Sequence, residues 1–349
     1  MKKVISLLLC VFVLMQVSFA AEFVDMPNNW STEALQKAVD NGLLGGDGGY
    51  IHPDDYMTRA EMATIMVRAC GAVNTADISV FTDVKADDWF YTSMAKAVAM
   101  GAFSGADGML NPNDNITRQE AFVVLARVFS LNLDKNIDET VIDGFKDGNL
   151  VADWARESVA AIVGGGYVAG ADGYINPENN ISRAEFAVVM DRLVAYYIDD
   201  EKATSIPSDG NVMIRVGGVS IDGAKSDMMI IIGDGVGKTN VSFTNAELTD
   251  RLVVRGGDRV TIAGSFGDVR VVLPYITLDC GNAETKRIYG CKDSVIDIGT
   301  LTASDTTSDT ASDKASDKTS DKTEENADAA KTETGSENTA EDNGASAEK

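Results

Sequence analysis

Histidine occurs once in 349 residues, tryptophan three times, proline six times and cysteine four times. The single His52 sits in a turn among Gly, Asp and Pro, where a solvated loop residue is expected, and no Cys/His spacing suits a metal ion. Positive charge is scarce: 30 Lys and Arg face 54 Asp and Glu, a formal net charge of −24. Nucleic acid and anionic lipid are therefore repelled at long range and excluded as expected partners. Long apolar runs are missing too. Val4 to Leu14 is too short to span a bilayer, and nothing after it is longer. Behind Lys2 and Lys3 and ahead of Ser18-Phe19-Ala20, that run reads as a secretory signal over 1–20. Cys10 lies inside it without the small residues a lipid-attachment site needs. The remaining Cys70, Cys280 and Cys291 do not make a disulfide framework, although Cys280 and Cys291 have the option of pairing.

The rare residues are periodic. Arg59, Arg118 and Arg183 each follow Trp30, Trp89 and Trp154 by 29 residues. Gly42, Gly101 and Gly166 lie 12 residues after each Trp, Gly49, Gly108 and Gly173 lie 19 after, and Pro53, Pro112 and Pro177 lie 23 after. Phe23-Val-Asp25, Phe81-Thr-Asp83 and Phe145-Lys-Asp147 open the copies. Three gapless copies of one unit follow, over 21–72, 78–134 and 142–197.

Each copy reads as helix, loop, helix. In the first, Trp30, Ala34, Leu35, Ala38 and Val39 recur at helical spacing. The glycine at +12 suits the left-handed residue that closes a helix. A Gly- and Asp-rich turn follows. The second helix then opens on Thr58-Arg-Ala-Glu61, Thr117-Arg-Gln-Glu120 or Ser182-Arg-Ala-Glu185, each a capping box with its hydroxyl at the N-cap and its Glu three residues on.

The arginine inside each box is the anomaly. A cation in the first helical turn costs about 0.3–1 kcal/mol against the helix dipole. Two explanations fit: an anion gripped there by free N–H groups and the guanidinium, or a staple joining units through Asp25, Asp83 or Asp147. Those aspartates would either orient the arginine or cap the first helix. The tryptophans are either core or faces for stacking a sugar ring. The Asp-Gly loops lack the ligand spacing of a calcium site, so neither metal nor cofactor is expected.

Phe-x-Asp, Trp, Gly, Asp-Gly, Pro and Thr-Arg-Ala-Glu in this order resemble the S-layer homology (SLH) domain. The resemblance implies an all-α helical spindle of three helix-loop-helix units about a pseudo-threefold axis. It also implies grooves between units that bind secondary cell-wall polymer, often pyruvylated, or polysaccharide linked to peptidoglycan. Asp25, Trp30, Arg59, Asp83, Trp89, Arg118, Asp147, Trp154 and Arg183 are the candidate glycan-binding residues. Copy three departs from the pattern, with Gly148-Asn149-Leu150 where the others have Met26 and Val84; copy two has Gln119 for Ala.

The helical pattern stops near Tyr197, and 198–209 reads as a linker. Over 210–300 short β-rich runs separated by turns (Val212–Val216, Met229–Ile232, Leu252–Arg255, Val269–Leu273) suit a small all-β domain, a β-solenoid or else a sandwich. Gly233-Asp-Gly-Val-Gly237-Lys238-Thr239 imitates a phosphate-binding loop, but its first glycine is one position late and no helix follows. From 301 to 349 the chain is acidic and Ser/Thr-rich, with too few apolar residues to build a core, and a disordered tail is expected. Asp222, Asp227, Asp234, Asp250, Asp258 and Asp268 lie mostly in turns and form no recognisable acid/base pair. The expected function is therefore a non-catalytic cell-surface protein anchored by its repeats and displaying the β domain. The alternatives are an anchored enzyme acting on wall or surface polysaccharide, a self-associating array subunit, and an envelope tether on modified peptidoglycan.

Overall fold

The computed structural model describes residues 23–131, 137–297 and 306–307. The signal segment 1–20 and nearly all of the acidic tail lie outside the described residues. Each repeat is a helix pair: α1 (Thr32–Asp40) with α2 (Arg59–Cys70), α3 (Tyr91–Ala99) with α4 (Arg118–Val128), and α5 (Arg156–Gly164) with α6 (Arg183–Leu193). All three capping boxes form. Thr58 Oγ1 accepts from the Glu61 N–H while a Glu61 carboxylate oxygen accepts from the Thr58 N–H, and Thr117/Glu120 and Ser182/Glu185 repeat the exchange. At the other end of the first helices, Gly42, Gly101 and Gly166 adopt φ of +69°, +71° and +76°. A side chain at those positions would be strained, which is why glycine recurs.

The second helix of each repeat packs on the first helix of the next: α2 on α3, α4 on α5, and α6 back on α1. The last contact closes a ring. At its centre the three segments entering the second helices hydrogen-bond in a cycle. Met57 N–H donates to the Ile181 carbonyl (3.0 Å), Ile181 N–H to Ile116 (3.1 Å) and Ile116 N–H to Met57 (2.9 Å). These three side chains are fully buried, as are Leu35, Met62, Met66, Met94, Phe122 and Phe186 around them. The spindle implied by the repeats is thus built from local helix signals plus one cyclic interface used three times. No helix among the described residues is long and apolar enough to cross a membrane.

Strand β1 (Tyr196–Ile198) follows α6 directly. Next come β2 (Val212–Ile214), β3 (Ser220–Asp222), β4 (Lys225–Ser226), β5 (Ile230–Ile232), β6 (Asn240–Val254), β7 (Arg259–Val271), β8 (Thr277–Gly290), β9 (Val295–Asp297) and β10 (Thr306–Thr307). Every pairing is parallel, with partners such as Val212↔Ile230, Leu252↔Val269 and Thr277↔Val295. This is a β-solenoid of about five turns. The sandwich alternative fails because it would need antiparallel hairpins. Segment 198–209 runs from β1 to β2 within the coil, and its Ala203 and Ile206 pack on the solenoid core.

Alternate residues of each rung point inward, among them Val212, Ile214, Ile230, Ile232, Leu252, Val254 and Val269. The residues between them form a register-matched ladder on one outer face: Tyr197, Met213, Ile231, Val253, Arg270 and Tyr289. Met213, Ile231 and Val253 belong to the spindle's core. These runs are apolar on both faces because both are covered. Cys70, Cys280 and Cys291 are all free thiols, so no bridge joins Cys280 to Cys291. The Gly233–Thr239 segment forms a single 3-10 turn, and strand β6 follows it where a phosphate loop needs a helix.

Candidate functional site

The arginines of the capping boxes sit where one repeat meets the next. The first-turn N–H groups are already occupied: Arg59, Arg118 and Arg183 donate to the carbonyls of Asp114, Asn179 and Asp55 (2.8–3.0 Å). Ala60, Gln119 and Ala184 donate to those of Pro112, Pro177 and Pro53. The open helix N-terminus that would hold an anion is therefore filled by the neighbouring repeat's loop.

The side chains act across the same joint. Nε of Arg59, Arg118 and Arg183 donates to the carbonyls of Leu110, Ile175 and Ile51 (3.0, 2.8 and 2.9 Å). Nη1 pairs with Glu120, Glu185 and Glu61 at 3.3, 3.0 and 3.5 Å, so each capping-box glutamate also serves the preceding arginine. The three arginines are 8–9% exposed. Burial draws the Arg118 and Arg183 pKa values down, and the partner glutamates push back. These contacts offset the unfavourable placement in the helix dipole and make the arginines staples between repeats.

The aspartates neither orient the arginine of their own repeat nor cap the first helix. Asp25 accepts from the N–H groups of Ile51 and His52, Asp83 from Leu110 and Asn111, and Asp147 from Ile175 and Asn176. One residue per repeat (Ile51, Leu110 or Ile175) is thereby held at both ends of its backbone. Its N–H goes to the aspartate of its own repeat and its carbonyl to the arginine of the preceding one.

The tryptophans are not core. Each first helix starts two residues after its Trp, so the ring leaves the apolar stripe. Trp30 and Trp89 are 65% and 66% exposed and Trp154 is 38% exposed. Trp154 forms one side of a small cleft of about 20 Å³, whose other walls include Arg59 from repeat one and Phe103, Ser104, Glu120 and Arg127 from repeat two. The cleft is thus composite, with residues from all three repeats. An aromatic face beside guanidinium and carboxylate groups suits a sugar: the ring covers the apolar C–H side and the charged groups bond hydroxyls and acids.

Arg127 was not singled out from the sequence, yet its place is repeated. Arg68, Arg127 and Arg192 donate from Nη1 to the carbonyls of Leu43, Ala102 and Tyr167 (3.0, 3.3 and 3.1 Å). Each lies nine residues after its capping-box arginine. That fixed spacing, repeated three times, was the signal available.

Copy three's opening departure is a 3-10 turn, Gly148–Leu150, in which a Cβ on Gly148 would lie 2.3 Å from the Ile142 carbonyl oxygen. Gln119 is buried, and its Oε1 accepts from the Ala152 N–H two residues before Trp154. This substitution therefore holds the tryptophan's segment in place. Among the described residues, no group of His, Cys, Asp and Glu is arranged to hold a metal ion.

The family model described as "S-layer homology domain" matches residues 22–63, 80–122 and 144–187. The chain carries three S-layer homology domains. Relatives of this SLH chain include a "Surface-layer 125 kDa protein" of Lysinibacillus sphaericus, 33% identical over 51% of the chain and 15% of the relative. A "Cellulosome-anchoring protein" of Acetivibrio thermocellus is 31% identical over 43% of the chain and 34% of the relative. "Exoglucanase XynX" of Acetivibrio thermocellus is 26% identical over 48% and 16%. The chain covers 9–16% of the length of the curated relatives it matches first. The three SLH domains occur in the chain's helical half, and the S-layer relatives place such domains in surface-layer proteins.

Proposed function

We propose that this chain is a non-catalytic cell-surface protein held to the cell wall by its three SLH domains. The ligand in this reading is a secondary cell-wall polymer, whose sugar ring stacks on an exposed tryptophan and whose acidic group, a pyruvyl ketal or phosphate, meets Arg127, while Arg59 holds the cleft's wall in place. The observation that carries the reading is the composite cleft, where an exposed Trp154 stands beside Arg59, Glu120 and Arg127. The anchoring and surface-layer names of relatives support it.

Relatives with enzyme names share the same repeats, so the repeats do not decide catalysis. The acids of the solenoid support a non-catalytic role through their engagement in structure. Asp234 is buried against Arg255, Asp268 takes a two-pronged contact from Arg287, and Asp222 is bonded by Thr244 and Asn245. The test is co-sedimentation of the mature chain with purified cell walls, before and after chemical removal of their secondary polymers. Binding should vanish with the polymers and weaken in Trp30→Ala, Trp89→Ala and Trp154→Ala. Undiminished binding to stripped walls would refute the proposal and point to peptidoglycan itself.

A further inference from the structure

The helices of the spindle present their C-terminal ends to the solenoid, and the solenoid answers each repeat with polar side chains; in repeat two Arg251 and Arg270 both donate to the Ser130 carbonyl just past α4 (3.1 and 2.8 Å), beside Arg255. Arg215, just after β2, donates from Nη1 to the carbonyls of Asn41 (3.1 Å) and Arg68 (3.3 Å), at the ends of α1 and α2. Arg255, just after β6, donates to the carbonyls of Val128 (2.9 Å) and Met100 (2.8 Å), at the ends of α4 and α3. Asn211, just before β2, donates from Nδ2 to the Leu193 carbonyl (3.1 Å) at the end of α6, and its Oδ1 accepts from the Met229 N–H (2.9 Å). The last carbonyls of a helix have no partner within it and carry its negative dipole end, so a buried guanidinium is well matched there.

The carbonyls involved are not arbitrary. Met100 leads into Phe103 and Ser104, one wall of the Trp154 cleft, and Val128 follows Arg127 on the opposing wall. Arg255 therefore bonds the two segments adjoining those walls, and Asp234 fixes it in place with a 2.8 Å bond to Nε. Arg215 joins the matching segments of repeat one, where Asn41 precedes Leu43–Gly45 and Arg68 is the counterpart of Arg127. The pseudo-symmetry would set Trp89 beside those segments and Trp30 beside their equivalents in repeat three.

We propose that Arg215, Arg255 and Asn211 are positioning residues for the three clefts, so that the solenoid sets the spacing of the walls that grip the ligand. The solenoid is then a working part of the anchor as well as its cargo. This inference rests on the clefts being the wall-binding sites.

The test uses the whole mature chain. The variant Arg255→Met/Asp234→Asn removes both buried charges together, so no unpaired ion is left inside. Binding to purified cell walls is measured well below the melting temperature of every variant. The double replacement and Trp154→Ala should each weaken binding about threefold, and their combination no further, because both disable one cleft; combined with Trp30→Ala the losses should multiply. A loss that multiplies equally with every tryptophan replacement, or no loss at all, would overturn the inference. Amide hydrogen exchange supplies a readout independent of the ligand. Residues 102–104 and 123–128 should lose protection in the Arg255→Met/Asp234→Asn protein while the matching segments of repeat three keep theirs. Unchanged exchange overturns the inference even if walls bind. If the wild-type chain does not bind walls, the proposed function fails and exchange still decides the positioning claim. Should the double variant not fold, Arg215→Met with Trp89→Ala, read at residues 43–45 and 64–68, applies the same test at a less buried arginine.

Discussion

Replacing Arg183 by Met separates a staple from a ligand group. Arg183 closes the ring, joining repeat three to repeat one through the Ile51 carbonyl (2.9 Å), the Gly45 carbonyl (2.7 Å) and Glu61 (3.5 Å). Ile51 is fully buried, so its carbonyl finds no water when the guanidinium goes; a bond of this kind to a charged donor is worth about 1.5–3 kcal/mol. Gly45 is exposed and regains water, which limits that loss to about 0.5–1 kcal/mol. The Glu61 contact is long, and Glu61 keeps its bonds to Thr58, so it adds at most about 0.5 kcal/mol. Methionine retains most of the aliphatic stem. The sum is about 3 kcal/mol, and at about 2–4 °C per kcal/mol for a body of this size the melting temperature should fall by about 6–12 °C.

The assay is thermal unfolding followed by far-ultraviolet circular dichroism, with wall binding of the same protein measured at low temperature. A staple predicts a large thermal shift and a modest change in binding of the folded protein. A thermal shift below about 2 °C accompanied by abolished binding would refute the reasoning and make the guanidinium a ligand group. Arg59→Met and Arg118→Met should shift in the same direction, since the Nε bond to a buried residue's carbonyl and the glutamate pair repeat those of Arg183.

The exposed tryptophans predict strong quenching of fluorescence by acrylamide, a neutral quencher that the chain's negative charge does not repel, Trp154 least, and protection of all three when wall polymer binds; rings shielded in the free protein would contradict the cleft. Burial pushes the Cys70 and Cys280 thiols up to about 12 and also raises that of the half-buried Cys291. Alkylation of the mature chain at mildly alkaline pH should therefore reach Cys291 first and the other two only after unfolding, as peptide mapping would show. For Asp25, burial tends to raise the pKa, but the N–H groups of Ile51 and His52 outweigh it and hold the carboxyl below its usual range. The stabilisation from a depressed carboxyl is present above the unfolded pKa, near 4, and is lost as pH falls through the folded value. Asp25→Asn should thus lower the melting temperature at pH 7, and the gap to wild type should close in acid; a constant gap would mean the carboxylate charge is not used.

Local chemistry was legible in the sequence, and what depended on another repeat was not. The capping boxes and the closing glycines act within a few residues and stand where spacing put them. Trp30 misled because it continues the spacing of Ala34 and Ala38 backwards, whereas the helix begins at Thr32 and the ring falls outside the stripe. The arginines announced themselves by standing in an unfavourable turn. The carbonyls that satisfy them lie 51, 57 and 132 residues away, in loops that share no signal with them. The solenoid's runs were visible as strands, but three-residue strands with unequal rungs give no register. The docking face was hidden for a related reason: Ile230–Ile232 is apolar throughout, and only the structure shows that Ile231 turns outward to the spindle while its neighbours turn in.

The composite clefts give a reason for three repeats and for their tight joints. The Trp154 cleft takes an arginine from the first repeat, its walls from the second and its tryptophan from the third. A lone helix pair would own a wall but neither the staple nor the stacking face, and two repeats would leave the cleft missing a component. The cyclic backbone bonds of Met57, Ile116 and Ile181 likewise have no open form that satisfies all three N–H groups. Buried N–H groups left unpaired are costly, so the ring is favoured as a whole. The solenoid then adds Arg215 and Arg255 where α1 to α4 end, so the face that joins the two halves of the chain also bonds the segments beside the Trp154 cleft.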